Sequence, residues 1–263
     1  MSKVIAMVNQ KGGVGKTTTA LNLGYALKAK GKSVLEIDLD PQGSLTVSLG
    51  YDDNDSINIT IATLMARTIE EQSLPKKEEY IVKAGTLDLI PCNIELSAIE
   101  VSLVNAMSRE LILKSIIDEL REFYDYIIID CSPSLGMLTI NALTACDSVI
   151  IPVTPQYLSA KGLELLLKNI IRVKRRLNPE IVIDGILLTM FASNTNLSKV
   201  IKDMIEEAYG GQIHIFSTKI PNSVKLGYSI LNNKSVIEYA EKNQVAVAYT
   251  AFAGEVLVND TDY

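Results

Sequence analysis

The sequence is poor in the residue types that metal clusters and disulfide frameworks need. It has one histidine, His214, and three scattered cysteines, Cys92, Cys131 and Cys146. A single histidine leaves little room for a histidine-based triad or a multi-histidine metal site. We expect His214 to be structural because it alternates with apolar neighbours. An odd number of dispersed cysteines is typical of reduced thiols in a cytosol, which predicts a cytoplasmic location.

Long apolar runs and an excess of positive charge are also missing. No stretch approaches the roughly 18 uncharged apolar residues that span a bilayer, and the N-terminal segment lacks the long apolar run and cleavage site of a secretory signal. The formal net charge is −6 over 263 residues. This charge argues against a protein coated in positive charge, but a local basic patch could still bind nucleic acid.

Short β-branched runs alternate with segments of helical periodicity. Most of the runs are continuously apolar, which is typical of parallel strands covered on both faces. The predicted strands are residues 4–8, 34–37, 87–90, 126–129, 149–153, 183–189 and 213–217. Between them, apolar residues recur at helical spacing, as in Ala20, Leu23 and Leu27, with Gly31 as a cap. The pattern predicts an α/β fold, a doubly wound and mostly parallel sheet with helices on both faces. No linker or repeat interrupts the chain, so we expect residues 1–263 to form a single domain.

A glycine-rich segment follows the first predicted strand and opens a helix. Residues 9–19 read NQKGGVGKTTT, in the strand–loop–helix context of a phosphate-binding P-loop. Glycines let successive backbone N–H groups point at phosphate oxygens, and the helix N-terminus adds partial positive charge. Lys16 is predicted to reach the β- and γ-phosphates, and the Thr17 hydroxyl to ligate Mg²⁺. The usual first glycine is Gln10 here, and Lys11 follows it.

The loop KGGVGKT of residues 11–17 resembles the deviant Walker A loop of the ParA/MinD family of ATPases. In that family the extra lysine reaches across a dimer interface to the partner's nucleotide. The resemblance implies that Lys11 acts in trans and that two ATP molecules are sandwiched between two subunits. A lysine crossing from each side would offset the repulsion between two facing triphosphates. The predicted nucleotide contacts of the loop are Lys11, Gly12, Gly13, Val14, Gly15, Lys16, Thr17 and Thr18.

Acidic residues end the second strand and the strand of residues 126–129. The segment DLDPQG of residues 38–43 resembles a further signature of the same family. It implies that Asp40 positions or polarises the attacking water and that Asp38 supports the metal and its waters. The alternative interpretation is that Asp38 and Asp40 only form a turn before Pro41. Asp130 resembles a Walker B acid that holds Mg²⁺ through a coordinated water. Residues 131–136 resemble the loop that senses the γ-phosphate.

The resemblance extends over nearly the whole chain to ParA-type partition ATPases, also called Soj. Segments such as LDLIP at residues 87–91, NALTA at 141–145, LTM at 188–190 and IP at 220–221 carry it. The family's adenine packs near the Thr-Met strand end and the Ile-Pro loop, so Met190 and Pro221 are carried over as nucleotide contacts. No extra region precedes the first strand, which predicts the short form without an N-terminal helix-turn-helix domain.

Other functions of this fold stay open. A MinD-like membrane ATPase would end in a basic amphipathic helix, whereas residues 259–263 are acidic; a related cargo-positioning ATPase need not act on DNA. A reductase resembling the nitrogenase iron protein would hold a cluster between subunits on paired cysteines. Cys92 and Cys131 are the candidates by order, but Cys92 lacks the flanking glycines. A non-catalytic nucleotide-binding protein is disfavoured by Asp40.

ParA-type proteins bind DNA non-specifically as ATP dimers, an electrostatic and salt-sensitive interaction. The candidate contacts are lysines of the C-terminal third: Lys199, Lys202, Lys219, Lys225, Lys234 and Lys242. The family often has arginines where this chain has Asn194 and Asn222. The DNA-binding site of the family therefore cannot be assigned directly to this chain. The basic run of residues 172–176 is a second candidate, which a solvated helix face would also explain.

The resemblance implies a Mg²⁺-dependent ATP hydrolase whose ATP-bound homodimer binds DNA and drives chromosome or plasmid partition. The predicted catalytic residues are Lys11, Lys16 and Asp40. The predicted metal-binding residues are Thr17, Asp38 and Asp130. Basal turnover should be slow until a ParB-like centromere-binding protein completes the site. We expect no membrane partner and a location that is cytoplasmic and nucleoid-associated.

Overall fold

The structure, a computed structural model, describes residues 2–261, without the side chains of residues 157–161 and 261. Within them, seven strands form one sheet: β1 Lys3–Met7, β2 Val34–Leu39, β3 Val82–Ala84, β4 Leu87–Ile90, β5 Tyr126–Cys131, β6 Ser148–Val153 and β7 Val182–Leu188. Their order across the sheet is β3-β4-β2-β5-β1-β6-β7. All neighbours are parallel except β3 and β4. The predicted, mostly parallel sheet is confirmed.

Helices connect the strands. They are α1 Lys16–Ala29, α2 Ser44–Ser48, α3 Ile61–Ile69, α4 Lys77–Tyr80, α5 Leu96–Ser102, α6 Ile112–Asp118, α7 Met137–Ala145, α8 Tyr157–Arg176, α9 Asn196–Tyr209, α10 Val224–Leu231, α11 Val236–Tyr239 and α12 Gln244–Thr261. Gly31 follows α1 with a φ of +83°, the left-handed backbone that its predicted role as a cap requires. Over the described residues, no helix has the length and apolar character needed to cross a membrane.

Alternate residues of the central strands enter two hydrophobic cores, one on each face of the sheet. On β1, Val4 and Ala6 belong to one core, and Ile5 and Met7 belong to the other. The first core is closed by α3 and α5–α9, and the second by α1, α2, α11 and α12. Odd and even residues of each central strand point to opposite faces, and both faces are buried. Most positions of these strands are therefore apolar, which gives the continuous apolar runs in the sequence. The helices therefore cover both faces, as predicted.

The predicted strand of residues 213–217 is wrong. It forms one isolated bridge, between Ile186 and Ile215. The segment leaves the sheet because its next two backbone N–H groups, those of Ser217 and Thr218, donate to the Glu255 carboxylate of α12, both at 2.8 Å. The sequence reading also missed β3, which is three residues long and antiparallel at the sheet edge.

Ion pairs gather at the end of the sheet where the parallel strands begin. The Lys3 ammonium contacts the carboxylate of Asp184 at 3.0 Å and also that of Asp260 on α12. Beside it, the Arg121 guanidinium binds Asp147 at 2.8 Å. The two pairs of Lys3 join the first strand, the last strand and the last helix. The opposite end of the sheet, where the strands finish, carries the predicted site.

Candidate active site

The carboxyl ends of the central strands open into a cleft of about 590 Å³. Its walls come from the loops after β1, β2, β5 and β7 and from α2 and α10. The lining residues are Gly12, Gly13, Gly15, Lys16, Thr17, Thr18, Asp40, Gln42, Ser44, Val47, Ser48, Pro133, Met190 and Ile230. Most of the residues predicted to bind nucleotide are therefore brought together here, as expected for an open α/β sheet.

The glycine-rich loop and the start of α1 present bare backbone N–H groups to the cleft. Gly13 and Gly15 have φ values of +71° and +84°, which glycine adopts without strain. Gly15 is the N-cap of α1, no side chain caps the helix, and its first turn has no acidic residue. The first N–H groups of a helix lack partners inside it, so this end favours an anion. A Cβ added to Gly12 or Gly13 would meet no atom within 4 Å, which leaves open space for a ligand.

Side chains outside the loop hold it in place. The Asn9 amide donates to the carbonyl of Pro152 at 2.8 Å, and the Gln10 amide donates to a carbonyl of α8 at 2.6 Å. The Thr189 hydroxyl donates to the carbonyl of Val14 at 2.8 Å. Thr189 was not predicted to be functional. Its neighbour Met190 was predicted to contact the nucleotide. That prediction could have drawn attention to Thr189, because both residues lie at the same strand end.

Lys16 and Asp130 meet behind the cleft. Lys16 is 7% exposed, and burial lowers the pKa of its ammonium although the charge of Asp130 opposes that change. Both Asp130 carboxylate oxygens are buried and have no hydrogen-bond partner among the described residues. Burial, followed by the charge of Asp38, raises the pKa of Asp130 well above 3.8, while the Thr17 hydroxyl and Lys16 act against this rise. A buried, unsatisfied carboxylate beside a cleft hydroxyl fits a hard cation with its waters.

Asp38 has a structural environment that the sequence reading did not foresee. It is fully buried and accepts hydrogen bonds from the backbone N–H and the hydroxyl of Thr46 at 2.8 and 2.7 Å. Burial raises the pKa of Asp38 to about 6, against the lowering effect of these hydrogen bonds. Asp38 thus ties α2 to β2. Asp40 does line the cleft, and its carboxylate accepts the backbone N–H of Gln42 at 3.1 Å.

Three of the other predicted residues lie outside the lining of the cleft: Lys11, Val14 and Pro221. The Lys11 ammonium donates to the side-chain oxygen of Gln156 at 2.6 Å. Pro221 forms a backbone bridge with Phe191 and is not among the lining residues of the cleft. Met190 does line the cleft, with a φ of +51°, which is uncommon for a residue other than glycine. Its backbone therefore turns sharply at the end of β7.

The six lysines predicted to contact DNA lie on the segment between β7 and α12. Lys199 and Lys202 are on α9 and Lys225 is on α10, while the other three are in connecting loops. Lys202 is engaged in an ion pair with Glu206 at 2.5 Å. Lys225 lies 6.0 Å from the ring centroid of Tyr228. The structure does not gather the six into a single cluster on one element.

The three cysteines are free, buried thiols. Burial is the first cause that raises the pKa of Cys92, Cys131 and Cys146. A cluster shared between subunits needs ligands at the protein surface, and these thiols lie inside the core. The structure therefore gives no support to the reductase alternative.

The fold and the loop together define a P-loop nucleotide-binding protein, and comparison with known proteins narrows this class. The family model described as AAA domain matches residues 2–183. The chain is 42% identical to the sporulation initiation inhibitor protein Soj of Bacillus subtilis strain 168, over 98% of this chain and 100% of that protein. It is 37% identical to the chromosome-partitioning ATPase Soj of Treponema pallidum strain Nichols, over 99% of each.

A solved structure is similar over nearly the same extent. It is the cobyrinic acid a,c-diamide synthase of Mycobacterium smegmatis with a bound ATP analogue and magnesium, with a TM-score of 0.84, 33% identity and coverage of 98% of this chain and 95% of that chain. The chain belongs to the ParA/Soj family of P-loop ATPases. The resemblance stated from residues 11–17 is thereby confirmed.

Proposed function

We propose that this chain is a DNA-partition ATPase that binds ATP and Mg²⁺ in the cleft and hydrolyses ATP. One observation supports the proposal above all. The uncapped N-terminus of α1, the left-handed Gly13 and Gly15, and the buried Lys16 converge on one cleft. The partition relatives and the nucleotide in the similar solved structure agree with this reading.

The residues in and behind the cleft have different roles in phosphoryl transfer. The N–H groups of the loop and the Lys16 ammonium bind the phosphates and offset their charge. Thr17 and Asp130 would hold Mg²⁺, with Asp38 fixing the neighbouring α2; the cation supplies further charge neutralisation when bound. Asp40 orients the attacking water. These contributions are mostly positioning, so we propose a slow basal turnover that a partner protein accelerates.

Nucleotide binding tests the core of the proposal. Titration of a fluorescent ATP analogue in the presence of Mg²⁺ should give an affinity that Lys16→Ala weakens by about tenfold or more, which corresponds to about 1.4 kcal/mol. Lys28→Ala is the matched control, because Lys28 is exposed and lies in the last turn of the same helix. If Lys16→Ala bound the analogue as tightly as the wild type, this cleft would not be the site.

We further propose that the ATP-bound state is a homodimer in which Lys11 leaves Gln156 and reaches the partner's nucleotide. Lys11→Ala should then bind ATP but stay monomeric with a slowly hydrolysed ATP analogue, as measured by light scattering after size exclusion. Gln156→Ala removes only the contact within the monomer, so it should dimerise like the wild type. Dimerisation of Lys11→Ala would refute the role of this lysine across the interface.

Non-specific DNA binding by the dimer is the last part of the proposal. Retention on immobilised duplex DNA should require ATP rather than ADP and should fall steeply with salt. Lys225→Glu should reduce the slope of log affinity against log salt by about one if this lysine contacts a phosphate. Asp40→Ala should remain on DNA longer than the wild type. If Asp40→Ala and the wild type left DNA at equal rates, Asp40 would have no role in hydrolysis. DNA binding without nucleotide would contradict the proposed dependence of DNA binding on ATP.

A further inference from the structure

A second concave surface lies between α7 and α8, apart from the residues used above. It is a groove of about 430 Å³, a volume within the range of ligand pockets. Its floor is apolar and consists of Leu135, Ile140, Leu143, Val173 and Leu177. The proposed ATPase cycle assigns no role to this groove.

Two arginines line the same groove. Arg172 and Arg176 are four residues apart on α8, so their like charges repel on one helix face. Among the described residues, neither guanidinium takes part in an ion pair. Glu110, the acid of the groove lining, is already bound by Arg109 at 3.0 Å. The groove therefore presents positive charge next to an apolar floor, in a chain whose formal net charge is −6.

We propose that this groove binds a short acidic and apolar segment of a partner protein. A bulky apolar side chain of the segment covers the floor, and an adjacent Asp or Glu binds Arg172 and Arg176. The planar guanidinium matches a carboxylate with two parallel hydrogen bonds. Nucleic acid fits less well, because its phosphates would engage the arginines and leave the apolar floor uncovered.

The position of the groove connects its occupant to the cleft. Leu135 belongs to the groove floor, and Pro133, two residues earlier in the same loop, lines the cleft. The hydroxyl of Thr139 on α7 donates to the carbonyl of Ser134 between them at 2.8 Å. A segment bound in the groove thus touches the loop that forms one wall of the cleft. The proposal itself concerns binding and stands without the ATPase assignment.

Selection from a displayed library of random short peptides tests the proposal. The full chain serves as bait, and the double variant Arg172→Glu, Arg176→Glu serves for counter-selection. We expect enriched peptides with Asp or Glu beside Leu, Ile or Phe. Binding of the synthetic peptide is then measured by fluorescence polarisation without nucleotide, so that failure of ATP binding cannot affect the result.

Matched variants decide whether the groove is responsible. The double variant should weaken peptide binding by about tenfold or more. Arg175→Glu makes the same charge change as either single substitution, at an exposed position of α8 outside the groove lining, and it should alter binding by no more than about twofold. Leu177→Ser should also weaken binding, because it removes part of the floor. Circular dichroism establishes that each variant is folded.

Three outcomes would overturn the proposal. The selection could give no peptide that distinguishes the wild type from the double variant, or it could enrich basic peptides. A short DNA duplex could also displace the peptide and depend on Arg172 and Arg176 to the same degree. In that last case the surface would be a nucleic-acid contact.

Discussion

The carboxyl group of Glu36 lies in the core beneath α1. The residue is fully buried, and both carboxyl oxygens lack a hydrogen-bond partner. A Cβ placed on Gly24 of α1 would lie 2.0 Å from one of these oxygens, so the group presses against the helix backbone. Burial first, and then the charges of Asp130 and Asp38, raise the pKa of Glu36 well above 4.5. The fold therefore favours the neutral acid.

Replacing Glu36 with methionine should stabilise the protein. An unsatisfied buried polar group costs about 1–3 kcal/mol, and methionine keeps a similar length without a polar atom. The free energy of unfolding of Glu36→Met should rise by about 1–3 kcal/mol, at about 2–4 °C in Tm for each kcal/mol. Glu36→Gln is the matched control. It keeps a buried polar group of the same shape, so its stability should stay within about 1 kcal/mol of the wild type.

Urea unfolding followed by circular dichroism measures these differences, provided that the dependence on urea is the same for all three proteins. Glu36 does not line the cleft, so ATP affinity should not change. A methionine variant less stable than both the wild type and the glutamine variant would refute the reasoning. Glu36 would then have a stabilising partner in the folded protein.

Further predictions concern polar contacts elsewhere. Glu255→Gln should cost about 1 kcal/mol near pH 7, and this cost should shrink as the pH is lowered. Burial alone would raise the pKa of Glu255, but its hydrogen bonds leave it below 4.5, so its stabilisation is present above the unfolded pKa of about 4.3 and is lost as pH falls through the folded pKa. A cost that does not change with pH would contradict this. Thr189→Val should weaken ATP binding and cost about 1 kcal/mol in thermal unfolding, because the carbonyl of Val14 loses its donor, whereas Thr189→Ser should not; unchanged affinity in the valine variant would contradict it. Asp260→Asn should cost about 1 kcal/mol, since Lys3 keeps its second carboxylate, and less at high salt; a change in ATPase rate would contradict its purely structural role.

The residue pattern predicted the sheet because strands buried on both faces must be apolar at every position. It predicted the glycine-rich loop because the backbone there needs left-handed residues such as Gly13 and Gly15. The segment of residues 213–217 has the same apolar character, but after one bridge to β7 the next N–H groups, those of Ser217 and Thr218, donate to Glu255, far along the chain. The sequence around this segment does not show that the Glu255 carboxylate competes with the sheet for its N–H groups.

In the site, too, residues within one motif could be predicted, whereas residues brought together by the packing of distant elements could not. Lys16 and Thr17 are part of a local motif, from which Lys16 was predicted to reach the phosphates and Thr17 to ligate Mg²⁺. Thr189 holds the loop at the carbonyl of Val14, and Ile230 lines the cleft because of where α10 packs. The predicted contact of Met190 pointed to the strand end that carries Thr189, but no spacing in the sequence reveals Ile230. Asp38 was predicted as a metal-binding residue, and its hydrogen bonds to Thr46 depend on where α2 packs.

The ion pairs around Lys3 and the cleft beside Lys16 lie at opposite ends of the same parallel strands. β1 alone spans five residues, or about 17 Å at about 3.3 Å per residue. Substitutions that strengthen the charged end can therefore accumulate without altering the geometry that faces the ligand. An engineer seeking a more stable protein would begin there.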